Sequence, residues 1–109
     1  HDIQAYLGEG KMVFIEVFAT WASPCWLYHS SGALQTMYAE HGPDGLDDVV
    51  VLMIEGDPFT TVDDISNINS NQNNQGDYTL DTPYPICEGP EDFMEIFSIN
   101  YFWFRNIVI

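Results

Sequence analysis

A chain of 109 residues is one domain at most, with room for a single modest core. Hydrophobic residues make up 46% and aromatics 15%, which excludes an extended disordered chain. Seventeen acidic side chains stand against Lys11 and Arg105 alone, a net charge of −15, and this excludes nucleic acid and anionic membrane surfaces, both of which are bound through Lys and Arg. Basic proteins, simple cations and divalent metals are compatible with that charge, as is a plain solvated acidic surface.

Two cysteines, Cys25 and Cys87, are too few for a disulfide scaffold. No apolar run reaches the roughly 20 residues that span a bilayer, so no membrane insertion is expected. The start at His1 and the strand-like end "NIVI" lead us to expect one domain over residues 1–109, cut from a longer product.

In chain order, "HDIQAYLGEG" predicts a short helix with Ile3, Tyr6 and Leu7 on one side, stopped by Gly8 and Gly10. "MVFIEVFA" (12–19) is almost continuously apolar and rich in β-branched and aromatic residues, the pattern of a strand buried on both faces. Glu16 interrupts it, either near a polar end or as a buried acid with a raised pKa. Ser23 and Pro24 read as N-cap and first residue of a helix from about 24 to 40, with Leu27, Leu34, Met37, Tyr38 and Ala33 as its apolar side. "HGPDG" ends that helix, and "VVVLMIEGD" (49–57) is a second buried strand with an acidic exit. Strand, helix and strand at this spacing form a βαβ unit with parallel strands.

Beyond it, "FTTVDDI" (59–65) predicts a short capped helix, and "SNINSNQNNQG" (66–76) a polar surface loop. "TPYPIC" (82–87) reads as an edge strand hemmed by prolines. "GPEDFMEIFSI" (89–99) has the marks of a helix start at Pro90, with Phe93, Ile96 and Phe97 on its apolar face. "FWFRNIVI" closes the chain as a strand.

This order of elements, together with "FATWASPCW", resembles the thioredoxin-like superfamily. Its closer likeness is to exported bacterial redoxin-type domains with a mid-chain insertion, through "YHSSGALQTMYAEHGPDG", "VVVLMIEGDP", "GDYTLDTPYPI" and "INYF". The resemblance implies a three-layer α/β/α sandwich around the parallel βαβ unit, with the C-terminal hairpin and helix missing. It also implies an extracytoplasmic setting: secreted, cell-surface or periplasmic. Active members carry Trp-Cys-Gly-Pro-Cys at the turn from strand to helix. Their first cysteine is a nucleophile helped by the helix N-terminus, and the second resolves the mixed disulfide. Position by position, Trp21 matches the Trp, Ala22 the nucleophile, Ser23 the Gly, Pro24 the Pro and Cys25 the resolving cysteine. Active members also place a cis-proline before the strand that here reads "RNIVI", yet no proline follows Pro90. A cis bond without proline costs about 3 kcal/mol, so Trp103 or Phe104 is expected to take a trans bond. With Ala22 and without that proline, dithiol catalysis is not expected.

The expected role is a non-catalytic structural or interaction module. The alternative is a residual monothiol redox enzyme acting through Cys25, which sits in the first helical turn where the dipole lowers a thiol pKa. Cys25 also reads as a plain buried hydrophobe, or as half of a bridge to Cys87. His29 lies at i+4 from Cys25, a two-ligand start for a soft metal, although a surface or capping role suits His1, His29 and His41 as well. Asp44, Asp47, Asp48, Glu55, Asp57, Asp63, Asp64 and Asp77 fall at element ends. Among them Glu55, Asp57, Asp63 and Asp64 are the Ca²⁺ candidates, against a solvated acidic rim. No cofactor is expected. Alternation along Tyr101, Phe102, Trp103 and Phe104 gives a strand two aromatic faces, one of them available to a protein partner, to another domain of the same parent chain, or to a second copy.

Overall fold

The computed structural model describes residues 3–57, 59–68, 73–89 and 106–109. Its elements are α1 (Ile3–Gly8), β1 (Met12–Phe18), α2 (Ser23–Ser30), α3 (Ala33–His41), β2 (Val49–Glu55), α4 (Val62–Ser66), β3 (Ile86–Glu88) and β4 (Asn106–Val108). The chain is a small mixed α/β globule built on one four-stranded sheet in the order β3-β2-β1-β4. The expected helix at 89–99 and the aromatic run Tyr101, Phe102, Trp103 and Phe104 lie outside the described residues.

β1 and β2 occupy the centre and run parallel in unbroken register from Met12↔Val49 to Phe18↔Glu55. Both are nearly continuous apolar runs because both faces of each are covered. On one face Phe18, Val51 and Met53 pack with Cys25, Leu34, Ile65, Tyr78 and Tyr84. On the other, Val13, Ile15, Val17 and Leu52 pack with Ile3 and Tyr6 of α1. β3 is parallel to β2 at one edge, with the prolines just before it, and β4 is antiparallel to β1 at the other. The short β3 at an edge is what proline-flanked sequence requires.

The expected helix at 24–40 is two helices. Gly32 has φ +80°, in the left-handed region that glycine enters without steric cost. The hydroxyls of Ser30 and Ser31 donate back to the carbonyls of Trp26 and Tyr28, each at 2.6 Å, and compete with the helical ladder there. The break separates the registers of α2 and α3. Leu34 is buried and Met37 and Tyr38 pack on the core as expected, but Leu27 is 67% exposed. The inward face of α2 is instead Cys25 with His29. The N-cap also falls one residue early: Ala22 holds the cap position without a side-chain bond, and Ser23 is already helical.

α4 starts at Val62, three residues into the stretch expected to form it. Thr61 and Asp64 form the capping box, the Asp64 carboxylate accepting the Thr61 N–H at 2.7 Å. The expected surface loop contains a buried anchor, Asn73. Its amide donates to the carbonyls of Asp64 and Gly76 at 2.7 and 2.6 Å, and its oxygen accepts the amides of Gln75 and Gly76. Among the described residues no helix is long and apolar enough to cross a membrane.

Candidate functional site

The parallel strands deliver their C-terminal ends to one edge of the molecule, where β1 turns through Ala19, Thr20, Trp21 and Ala22 into α2. A crevice beyond the carboxyl ends of parallel strands is where α/β sheets hold their sites. The turn is tight: the Ala22 N–H donates to Ala19 O at 3.1 Å, and Trp26 N–H to Ala22 O at 3.2 Å. Ala19, Thr20 and Ala22 are buried, and Trp21 is 38% exposed. The indole N–H of Trp21 donates to Asp57 Oδ2 at 2.7 Å, and the other carboxylate oxygen of Asp57 accepts the Phe59 N–H at 2.9 Å.

Behind this turn the apolar core holds two carboxyls. Glu16 and Glu55 point to the same face of the sheet as Phe18 and Met53, and are 3% and 2% exposed. Glu55 is well satisfied, its Oε2 accepting the Thr20 N–H at 2.9 Å and its Oε1 the Asp57 N–H at 2.7 Å. Burial lifts its pKa to about 7, against the opposing pull of the Asp57 and Thr20 amides and the Thr60 hydroxyl. Oε2 of Glu16 has no hydrogen-bond partner among the described residues. Burial lifts that carboxyl to about 8, which settles the alternatives for Glu16 in favour of a buried acid.

Cys25 is 8% exposed beneath the start of α2. Burial is the largest influence on its thiol, and the charges of Glu16 and Glu55 add to it. The Ala19 backbone hydrogen bond opposes, and the pKa rises to about 11. The thiol therefore lies above its ordinary value, opposite to the lowering expected of a cysteine in a first helical turn. Cys87 is half-buried on β3, and both thiols are free.

His29 is buried rather than on the surface. Its ring nitrogens meet the Thr82 hydroxyl at 3.3 Å and the Tyr84 hydroxyl at 3.5 Å, and its ring lies 5.1 Å from that of Tyr78. Burial lowers its pKa, opposed by the Tyr78 backbone and Asp77. His41 is more exposed and pairs with Asp48 at 3.0 Å, near the end of α3. Tyr78 is fully buried, 4.9 Å from Phe18 and 5.0 Å from Trp26 between ring centres, and its hydroxyl donates to Thr20 O at 3.3 Å.

The Ca²⁺ candidates do not converge. Glu55, Asp57 and Asp64 already accept N–H groups, Glu55 and Asp57 from both their own loop and the Thr20–Trp21 turn, while Asp63 is exposed. Among the described residues no three His, Cys, Asp or Glu side chains are placed to share a metal ion, the Cys25–His29 pair included. A cleft of about 150 Å³ between Tyr6, Lys11, Tyr38, Pro43 and Asp47 lies at the opposite end of the strands.

Sequence reasoning passed over Tyr78 and Asn73, and it placed His29 outside. For His29 a signal existed: it stands at i+4 from Cys25, on the same helical face. For Tyr78 the partners are distant in sequence; Asn73 combines local bonds to Gln75 and Gly76 with one to Asp64, nine residues earlier.

The fold and this turn define the class: a mixed α/β domain with a thiol and two carboxyls buried under its strand-to-helix turn. No family model, curated protein or solved structure matches the chain.

Proposed function

We propose that the chain is a thioredoxin-like domain that has lost dithiol chemistry and serves as a structural or interaction module of an exported or cell-surface bacterial protein. The central parallel pair, the helical cover on both faces and β4 lying antiparallel beside β1 support a three-layer sandwich. One observation carries the loss of function. At the position that would hold the nucleophile stands Ala22, which has no group to attack with, and the thiol one helical turn on is sealed and held protonated. The partner is a protein, another domain of the parent chain, or a second copy.

The same burial weighs against monothiol chemistry at Cys25, because the thiolate is the reactive species. Iodoacetamide labelling of the native chain near pH 7.5, followed by mass spectrometry, separates the two readings. Cys87 is expected to react while Cys25 stays unmodified until the chain unfolds. Fast alkylation of Cys25 in the folded protein would overturn the module reading in favour of the enzyme. An insulin-reduction assay is expected to stay at background, and Ala22→Cys to restore only weak turnover.

A further inference from the structure

Glu55 ends β2, and its two oxygens are shared between two loops. One accepts the amide of Thr20, in the turn that carries Trp21 into α2; the other accepts the amide of Asp57, in the loop leading to α4. The Asp57 side chain returns to the first loop through the Trp21 indole. A single buried carboxylate therefore ties the two loops together. An ionised carboxylate only accepts hydrogen bonds, whereas a carboxyl that takes up a proton turns one oxygen into a donor. Each oxygen of Glu55 already accepts an N–H, so a proton on either one takes a lone pair, removes the charge and makes that oxygen a weaker acceptor for its amide.

We propose that Glu55 is a proton-operated latch: ionised, it holds the Trp21 turn against the exit of β2, and on taking up a proton it releases one of its two amides and loosens that turn. The latch belongs to the fold itself and stands whether or not the chain is an interaction module.

The groups around Glu55 leave the proton free to come and go near neutrality. Asp57 on its own loop is a like charge that favours protonation. Cys25 on α2 and Tyr78 from the 73–89 segment both feel the Glu55 charge, and both are held protonated by burial. Glu16, on β1 two residues before the Phe18 that pairs with Glu55, acts on the same two groups and is itself protonated at neutral pH. Lys11 lies at the far end of β1, held by Glu9 and Asp47 at 3.3 and 3.1 Å. Burial against two amides and a hydroxyl then sets the change of state at about pH 7.

The test is a pH series of amide ¹H–¹⁵N spectra on the full chain from pH 4 to 8.5, with the Glu55 side-chain carboxyl followed by ¹³C. The Thr20 and Asp57 amides are expected to move together, with one midpoint near pH 7 shared by the carboxyl. Glu55→Gln is expected to abolish the movement of both amides, and Glu16→Gln to leave it in place. A carboxyl that titrates below pH 5, amides that stay still in the unsubstituted chain, or amides that still move in Glu55→Gln would each overturn the latch. The first two readouts need no variant, so a Glu55→Gln chain that fails to fold leaves the test intact.

Discussion

Replacing Glu16 with Gln removes a titration while leaving the size of the side chain unchanged. In the native chain this carboxyl is 3% exposed, and its pKa is raised from an ordinary 4.5 to about 8. Between those two values the folded protein keeps a proton that the unfolded chain gives up. Stability is therefore fully present below about pH 4.5 and is lost progressively as pH rises to about 8. At about 1.4 kcal/mol per pH unit, that span caps the loss at about 5 kcal/mol. Relaxation and water entry reduce what is measured, so a gain of about 2–3 kcal/mol for Glu16→Gln at pH 8.5 is the expected outcome. In a chain of this length that is a rise in Tm on the order of 10 °C.

The assay is thermal unfolding of both chains by circular dichroism from pH 7 to pH 8.5 at fixed ionic strength. Ordinary carboxylates are already ionised in that window. His29, whose pKa is lowered by burial, adds stability only as pH rises toward its ordinary 6.5 and is complete above it. Glu55, raised to about 7, contributes a shallower fall with the same sign. The native Tm should decline through the window, and that of Glu16→Gln should decline much less. Parallel curves for the two chains would refute the reasoning, because they would show that Glu16 ionises at no cost to the fold.

A Cβ built on Gly76 would lie 2.6 Å from the Trp26 indole, so Gly76→Ala should destabilise by about 1–3 kcal/mol in urea unfolding. Leu34→Ala should cost about 2–5 kcal/mol and Leu27→Ala under about 0.5 kcal/mol by the same measurement, since the first is 2% and the second 67% exposed. Millimolar Ca²⁺ should raise the Tm no more than NaCl of equal ionic strength, because the loop carboxylates already accept amides. A clear excess from Ca²⁺ would reveal a specific site by mass action.

What could be read from the sequence was whatever its periodicity encodes. β1 and β2 are apolar on both faces, a pattern with few alternatives, and the helical stretch between them forces a parallel pairing. The break at Gly32 was also written locally, in Ser30, Ser31 and Gly32, but a continuous apolar stripe through Leu27 masked it. Other features had no local signature at all. Asn73 sits among polar neighbours of similar character, and the Asp64 carbonyl nine residues away is the partner that ties it to α4. Glu55 reads as an acidic strand exit until Thr20, 35 residues earlier, supplies the amide it accepts.

The two buried acids mark where stability and the rest of the design part company. Glu55 is held by two amides and a hydroxyl, so its burial is compensated and it joins the Thr20 and Asp57 loops. Glu16 has an oxygen without a partner among the described residues, and an apolar side chain of similar volume would pack on the same face at lower cost. Stability does not explain that residue. While ionised it pushes the Cys25 thiol upward rather than activating it. The acid and the thiol lie together in the core under a turn bearing Ala22. Hence Glu16→Gln should stabilise the chain above neutral pH without altering the packing of β1.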